Sequence, residues 1–138
     1  MIEKAIIIAV SAHQGQVDKG GNPYILHPLA VMLSLEDEIE RICAVLHDVI
    51  EDTDITLEYL KNEGFSNEVL TALDALSRRK DESYDEFIDR IINNKIACHV
   101  KLADLKHNMD LSRIKQPSQK DYDRIKKYQK AVKALSKK

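Results

Sequence analysis

The sequence predicts an all-α protein. Apolar residues recur at spacings of three and four along most of the chain, which is the pattern of amphipathic helices. No stretch alternates apolar and polar residues as a half-buried strand does, and there is no internal repeat or low-complexity segment. The chain has 138 residues, of which 43% are hydrophobic and 32% are charged. This length and composition predict one globular domain, residues 1–138, with a single sizeable core.

Charge and hydropathy exclude several classes of partner. The formal net charge of −2 provides no overall basic field, so we expect neither DNA nor RNA as a partner. The longest apolar run, residues 5–10, is too short for a membrane span and lacks the length and cleavage site of a signal peptide. We therefore expect a cytoplasmic protein with no membrane partner. Cys43 and Cys98 each lie in an apolar helical pattern and are expected to be reduced core residues. The sequence leaves a homo-oligomer open.

The first two helices flank a loop. One helix is predicted over residues 2 to about 16, with His13 near its end, where an imidazole caps carbonyls or bonds to a neighbouring loop. Residues 18–23 form a turn-rich loop. A second helix is predicted from Pro28 to about residue 35, with Pro28 in its first turn. His27 is held between two prolines, so a rigid metal ligand and an N-cap-like surface residue are both open for it.

A central helix is predicted to begin at Asp37 and to run through residues 44–53. Its apolar stripe follows the helical period and consists of Ile42, Val45, Leu46, Val49 and Ile50. The opposite side, beside the small Ala44, collects an imidazole and three carboxylates, namely His47, Asp48, Glu51 and Asp52. No Lys or Arg offsets these like charges, which are unfavourable on a bare helix. A divalent cation is the simplest partner for them, and an ordinary solvated face is the alternative.

Shorter helices follow. Thr56 is predicted to cap a helix over residues 57–62 that ends at Gly64, and Ser66 or Asn67 to cap another that reaches about residue 77. The cationic run at residues 78–80 then lies in a connection, either as a complement to a helix dipole or as a phosphate site. Ser83 starts the next helix, which ends near residues 93–94.

A second helix with chemical side chains is predicted over residues 95 to about 114. Four polar residues share one face of it: Lys101, Asp104, His107 and Asn108. Asp104 lies between two apolar neighbours, as a partly buried acid does, and it then needs a partner. A metal ion, Lys101 or His107 would serve. After Ser118, a last helix is predicted over residues 119–135, with its core side formed by Tyr122, Ile125, Tyr128 or Gln129, Val132 and Leu135.

The candidate metal ligands are two imidazoles and two carboxylates: His27, His47, Asp48 and Asp104. Nitrogen and oxygen donors of this kind suit a first-row divalent ion such as manganese, iron, cobalt or zinc, and the absence of thiolates weakens a structural zinc site. Four ligands leave positions for water and a phosphate oxygen. A metal so placed can activate water and polarise a phosphoryl group.

Four motifs carry a family resemblance. They are His-Gln-Gly-Gln at residues 13–16, Pro-Tyr-Ile-Leu-His-Pro at 23–28, Leu-His-Asp-Val-Ile-Glu-Asp-Thr at 46–53 and Lys-Leu-Ala-Asp-Leu-Lys-His-Asn-Met at 101–109. In order and spacing they resemble the hydrolase domain of RelA/SpoT-type proteins, which are HD-domain phosphohydrolases. The match covers roughly the first four-fifths of the chain, and 138 residues leave no room for the synthetase and regulatory domains of long family members. The chain resembles the stand-alone small alarmone hydrolases of the metazoan SpoT-homologue kind.

The resemblance implies an all-helical HD-domain fold and a manganese-dependent activity. Its substrate would be a small phosphorylated nucleotide, guanosine tetra- or pentaphosphate, from which the 3′-pyrophosphate is removed. By position, the metal ligands would be His27, His47, Asp48 and Asp104. Glu51 and Asp52 would match the acidic pair that orients or activates the attacking water. Lys19, Tyr24 and Asn108 would match substrate-contacting positions, and Tyr128 a tyrosine on the family's late helix.

Asp18 departs from the family pattern. The family has an arginine at this position, in a Gly-Gln-x-Arg-Lys run, and this arginine helps to hold the guanine nucleotide. An acid there reverses the local field toward a polyphosphate and removes a planar stacking group. We therefore count Asp18 among the substrate-contacting candidates. Two alternatives remain open from the sequence: an HD-superfamily phosphomonoesterase acting on another nucleotide, and a non-catalytic module that binds metal or nucleotide.

Overall fold

The computed structural model describes residues 1–137 of the chain. The α-helices in chain order are α1 (Ile2–Ala12), α2 (Leu26–Leu33), α3 (Glu38–Leu46), α4 (Val49–Asp52), α5 (Leu57–Asn62), α6 (Asn67–Ala75), α7 (Tyr84–Ile92), α8 (Lys95–Asn108) and α9 (Gln119–Ser136). A short 3-10 turn covers Leu111–Arg113. Within residues 1–137 the sole β-type pairing is an isolated antiparallel bridge between Val17 and Pro23. The prediction of an all-α protein is confirmed.

Helix α3 lies at the centre of the fold. It packs against α1, α2, α6 and α8, and its residues from Ile42 to Leu46 are buried. Removal of such apolar side chains from water stabilises the fold by about 1.5–3 kcal/mol for each large one. Helices α7 and α9 pack against α8 and against each other. Helix α8 is therefore held between α3 on one side and α9 on the other.

Most helix starts lie where local side-chain chemistry predicts them. Thr56 accepts a hydrogen bond from the Tyr59 N–H at the start of α5, and Ser66 does the same for Val69 at the start of α6. Ser83 caps α7 in a reciprocal capping box with Glu86. The predictions for these three caps are confirmed.

Three predicted helix boundaries were wrong. Helix α1 ends at Ala12, because Gly15 adopts φ +86° and turns the chain before residue 16. Helix α2 begins at Leu26, two residues before Pro28, so His27 lies inside its first turn. Helix α8 ends at Asn108, because the Asp110 carboxylate accepts hydrogen bonds from the main-chain N–H and the hydroxyl of Ser112 and starts a separate turn.

The single central helix predicted from the apolar stripe was also wrong. The chain forms α3 and α4, which are separated by His47 and Asp48. The Nδ1 atom of His47 lies 2.5 Å from the carbonyl oxygen of Ala44, and the main-chain N–H of His47 donates to the same oxygen at 3.4 Å. These bonds tighten the last turn of α3 and end it. The apolar stripe stays buried across the break, which is why its period continues in the sequence.

The start of α9 lies outside the core. Tyr122, predicted on its core side, is 47% exposed, whereas Ala131 and Leu135 are buried. The first turns of α9 border a cavity, and only its later turns pack on the core. Cys43 and Cys98 are free and buried, as expected, and burial raises the pKa of Cys43 to about 12. Within residues 1–137, every helix is too short or too polar to cross a bilayer.

Candidate metal centre and active site

Three parts of the fold bring two imidazoles and a carboxylate together. His27 comes from the first turn of α2, His47 from the break after α3, and Asp104 from α8. Asp104 Oδ1 lies 2.7 Å from His27 Nε2 and 3.1 Å from His47 Nε2. Each side chain offers one ligand atom, and these atoms all lie within 4.8 Å of one another. All three side chains are buried, so the group is not a surface acid cluster.

The hydrogen bonding of His47 places a lone pair in this group. A carbonyl oxygen only accepts, so the Nδ1 atom of His47 is the protonated one in its contact with Ala44. In a neutral imidazole, Nε2 then carries the lone pair, and it faces carboxylate oxygens of Asp104 and Asp48, each at 3.1 Å. Acceptors that face one another in this way need a cation between them. The donor set therefore fits a divalent ion.

Without a metal, a proton fills the same need. Burial alone would lower the pKa of His47, but the carboxylates of Asp48 and Asp104 raise it well above the ordinary value. Burial would raise the pKa of Asp104, but Lys101 and His47 hold it well below the usual range. The protonated imidazole and the carboxylates thus stabilise one another's charged forms. A metal ion can replace the proton on the imidazole.

Asp48, the fourth predicted ligand, contacts His47 but is not among the three residues whose ligand atoms lie within 4.8 Å of one another. Its Oδ2 atom lies 3.1 Å from His47 Nε2 and also accepts a hydrogen bond from the Tyr24 hydroxyl. Burial and the nearby Asp48 carboxylate raise the pKa of Tyr24, which keeps this hydroxyl protonated as a donor. Tyr24 is therefore placed to orient Asp48 toward His47.

The second oxygen of Asp104 has a protein partner. Lys101 Nζ lies 3.0 Å from Asp104 Oδ2, while Asn108 donates to Oδ1 at 3.1 Å. His107, also offered by the sequence as a partner for this acid, instead places its Nδ1 atom 2.7 Å from Nδ1 of His27. Lys101 and a metal ion are thus not exclusive alternatives, because the lysine holds one oxygen and the other faces the imidazoles.

Glu51 and Asp52 lie in α4, next to the metal-ligand candidates. The Glu51 carboxylate accepts a hydrogen bond from the main-chain N–H of Arg78, in the connection between α6 and α7. Both acids reach solvent, but partial desolvation and the neighbouring Asp48 raise the pKa of each. A raised carboxyl pKa lies closer to neutral pH, which is suited to proton transfer.

His13 supports this end of the cleft indirectly. It is buried, and its Nδ1 atom lies 3.0 Å from the side-chain oxygen of Gln16, which confirms that it bonds to a neighbouring loop. Gln16 in turn donates to the main-chain oxygen of Asp52 at 3.4 Å. The end of α1 is thereby linked to α4.

A cavity of about 290 Å³ opens beside the metal-ligand candidates. It lies between the loop after α1, the end of α8 and the first turns of α9. All five substrate-contacting candidates from the sequence line it, and the structure adds a cation and one of the imidazoles: Asp18, Lys19, Tyr24, Asn108, Tyr128, Arg124 and His27. The cavity thus joins the predicted nucleotide site to the metal-ligand candidates.

Asp18 has a structural task that its position in the sequence did not reveal. Its Oδ1 atom accepts hydrogen bonds from the main-chain N–H groups of Gly20 and Asn22, each at 2.9 Å. These bonds close the loop that carries Lys19, in the manner of an Asx turn. Its carboxylate therefore shapes one wall of the cavity and adds negative charge to it.

Sequence reasoning missed Arg124 and Asp121. Asp121 is buried, and its carboxylate pairs with Arg124 and lies 3.9 Å from Lys19 Nζ. One acid in the first turn of α9 thus holds two cations at the rim of the cavity. The signal was weak, because α9 contains many exposed Lys residues and no period distinguishes Arg124 from them.

The sequence is similar to those of known proteins. A GTP pyrophosphokinase of Myxococcus xanthus is 34% identical to the chain over 127 residues, which cover 79% of this chain and 17% of that protein. A guanosine-3′,5′-bis(diphosphate) 3′-pyrophosphohydrolase of Haemophilus influenzae is 38% identical over 119 residues, 75% of this chain and 17% of that protein. No protein-family profile matches.

A solved structure, described as a metazoan orthologue of SpoT that hydrolyses ppGpp, superposes with a TM-score of 0.80 at 25% identity. The superposition covers 97% of this chain and 84% of that one. The chain is a relative of the SpoT-type hydrolases. The resemblance drawn from the four sequence motifs is confirmed, and so is the HD-type fold. The chain spans about one sixth of the length of the curated relatives that it matches, 17% in the two given above.

Proposed function

We propose that the chain is a metal-dependent pyrophosphohydrolase that removes the 3′-pyrophosphate from guanosine 3′,5′-bis(diphosphate). The observation that carries this proposal is the approach of His27, His47 and Asp104 to one another, beside a cavity of about 290 Å³ that His27 also lines. The relatives named for this reaction and the SpoT orthologue with the same fold support it. A phosphomonoesterase and a non-catalytic binding module, the two other possibilities from the sequence, have no such support.

We assign the metal to His27, His47, Asp48 and Asp104. Their nitrogen and oxygen donors fit a first-row divalent ion, and manganese is our choice by family resemblance. When bound there, the ion supplies Lewis-acid activation of water and neutralises charge that develops on the phosphoryl group. Lys101 holds one Asp104 oxygen, and the other, which also accepts a hydrogen bond from Asn108, faces the imidazoles. The Tyr24 hydroxyl donates to the Asp48 oxygen that faces His47 and so orients this carboxylate.

Proton transfer is assigned to Glu51 and Asp52. Attack on phosphorus by water requires removal of a proton, and the departing 3′-oxygen requires one. Partial desolvation and the nearby Asp48 raise the pKa of both acids, which suits them to exchange protons near neutral pH. The hydrogen bond from Arg78 fixes Glu51 against the connection between α6 and α7. The main-chain oxygen of Asp52 accepts a hydrogen bond from Gln16, in the loop after α1.

The nucleoside end of the substrate is assigned to the cavity. Lys19 and Arg124 supply positive charge at its rim, where the 5′-phosphates would lie. Tyr24 and Tyr128 supply aromatic surface, and Asn108 supplies an amide that can bond to a sugar or base. Asp18 adds negative charge, so we propose that native turnover of this highly charged guanosine nucleotide is modest. We also propose that the protein works in the cytoplasm. We expect neither a nucleic acid nor a membrane as its partner.

Product analysis tests the proposal. Purified protein with manganese and guanosine 3′,5′-bis(diphosphate) should yield guanosine 5′-diphosphate and inorganic pyrophosphate in equal amounts, measured by ion-exchange chromatography and a pyrophosphate-specific assay. Release of orthophosphate instead would favour the phosphomonoesterase. Absence of any turnover across phosphorylated nucleotides, in protein that binds them, would favour the binding module.

A further inference from the structure

A second candidate site lies around Tyr84, at the start of α7. The hydroxyl oxygen of Tyr84 is buried and has no hydrogen-bond partner among the residues that the structure describes. Its ring has cations near it: Lys127 Nζ lies 4.0 Å from the ring centre and the Arg78 guanidinium carbon 5.8 Å from it. Cations near an aromatic ring are attracted to it, but the ring cannot supply a full opposing charge.

These cations lack acidic partners. Within residues 1–137, no carboxylate forms an ion pair with Lys127 or Arg78, and the Arg78 guanidinium donates only to the main-chain oxygen of Glu82, at 3.2 Å. Partial burial and the charges of Arg78, Lys101 and Arg124 lower the pKa of Lys127. Uncompensated positive charge beside a partnerless hydroxyl is the composition of an anion site.

The cluster adjoins the proposed reaction centre. Arg78 donates its main-chain N–H to Glu51, and Lys101 links Asp104 to the Tyr84 region through the neighbouring Phe87 ring, whose centre lies 5.3 Å from Lys101 Nζ. Lys127 also lines a second cavity of about 360 Å³, whose other lining residues are three cations and one acid: Lys19, Lys120, Arg124 and Asp123. The cluster therefore borders the proposed reaction centre through the contacts of Arg78 with Glu51 and of Lys101 with Asp104.

We propose that Tyr84, Lys127 and Arg78 form a binding subsite for the terminal phosphoryl group of a diphosphate, the one that leaves as pyrophosphate. In this site the Tyr84 hydroxyl donates to a phosphate oxygen while the two cations neutralise its charge. The subsite rests on the proposed function for its role in the reaction, but its affinity for a diphosphate is a separate property. It lies apart from the first cavity, to which the nucleoside is assigned, since neither Tyr84 nor Lys127 lines that cavity.

The test measures binding of inorganic pyrophosphate to the manganese-loaded protein by calorimetry, and its inhibition constant where turnover is present. Tyr84→Phe removes only the hydroxyl, and Lys127→Gln removes only a charge. Lys126→Gln, at an exposed neighbouring position, is the matched control for net charge. All variants meet the same chelation of manganese by pyrophosphate in solution, so differences among them report the protein.

The first two variants should each weaken pyrophosphate binding by about tenfold, the scale of one lost charge-assisted contact. The control should bind like the native chain, and binding of guanosine 5′-diphosphate should change less than twofold in every variant. Equal pyrophosphate affinity in all four proteins would overturn the subsite, as would a Tyr84→Phe variant that changes only the melting temperature. If the chain binds pyrophosphate in this variant-dependent way but does not cleave the guanosine nucleotide, the subsite stands and the proposed function fails.

Discussion

The Glu51 carboxylate is bound by the main-chain N–H of Arg78, although the two residues lie 27 positions apart in the sequence. This contact joins α4, which carries both candidate proton-transfer acids, to the connection between α6 and α7. Because the donor is a main-chain group, substitution of the Arg78 side chain preserves it. The position of Glu51 therefore depends on how firmly that connection is folded.

The roles of Glu51 and Asp52 can be separated from metal binding by variants that keep volume and remove charge. Glu51→Gln and Asp52→Asn should each lower kcat by about 10²-fold, as loss of a general acid or base does. Manganese should stay bound at the native stoichiometry, because neither residue belongs to the assigned ligand set. Metal loss that parallels the loss of turnover in elemental analysis would make these residues ligands.

The connection that holds Glu51 is anchored by Glu82. Its carboxylate accepts hydrogen bonds from the Arg79 N–H at 3.0 Å and from the Arg90 guanidinium at 2.6 and 2.9 Å. The Arg90 and Arg79 contacts lower the pKa of Glu82 to about 2. A depressed folded-state pKa contributes stability that is present above the unfolded value of about 4.3 and is lost as the pH falls through about 2.

Glu82→Gln should therefore lower the melting temperature at neutral pH, and the gap to the native protein should narrow as the pH falls from about 4 to about 2. Thermal unfolding followed by circular dichroism across this range measures it. Asp89→Asn, which removes an exposed charge from the same helix α7, is the control. A gap that is constant with pH, or equal to that of the control, would show that the Glu82 carboxylate contributes no such stability.

Asp18 is expected to set substrate preference through its charge. Asp18→Asn keeps an oxygen for the Gly20 and Asn22 N–H groups and removes the negative charge from the cavity, so kcat/KM for guanosine 3′,5′-bis(diphosphate) should rise. Asp18→Arg should raise it by roughly tenfold, the scale of one recovered charged contact of ~1.4 kcal/mol. Since Asp18→Arg also breaks the two loop bonds, its melting temperature is measured beside its kinetics.

Two results together would contradict a role of the Asp18 charge in substrate preference. A native chain that already cleaves this nucleotide rapidly, and that is unchanged by Asp18→Asn, would show that Asp18 shapes the loop and does not select the substrate. The loop bonds alone would then explain its presence in the cavity wall.

The assigned metal ligands make a direct prediction about stoichiometry. Native protein should bind about one divalent transition ion per chain, and His47→Ala or Asp48→Ala should abolish binding while the helical circular-dichroism signal remains. Affinity should fall at acidic pH, because the imidazoles must lose a proton to bind a metal. Isothermal calorimetry and elemental analysis measure both effects. No binding of manganese, iron, cobalt or zinc at neutral pH would contradict the assignment.

Features that depend on local chemistry were predictable from the sequence. The caps at Thr56, Ser66 and Ser83 are hydrogen bonds made within three residues, so the local sequence is enough to place them. The break at His47 was not predictable, because its apolar neighbours keep the helical period while the imidazole turns back onto the Ala44 carbonyl. The position of this helix break depends on the packing of other helices against residues 47 and 48.

In the candidate site, too, local contacts were predictable from the sequence and long-range contacts were not. Side chains four residues apart on α8 were predictable as neighbours, and Asn108 does contact Asp104. Contacts across the fold were not, such as the bond from Arg78 to Glu51 or the pairing of Lys19 and Arg124 with Asp121. The four motifs predicted which distant residues lie together in the site, which helical periodicity cannot do. They could do so because the resemblance to a known family includes the positions of its site residues.

Reconstitution of metal-stripped protein tests the central claim most directly. Chelator-treated native chain is titrated with manganese, and cleavage of guanosine 3′,5′-bis(diphosphate) is followed together with the metal bound. Turnover should be absent in the stripped protein, rise in proportion to the metal added and level off at about one ion per chain, while Asp104→Ala stays inactive at every metal concentration. Full turnover in the stripped protein with chelator still present, or equal turnover in Asp104→Ala, would contradict a hydrolytic metal centre at this site.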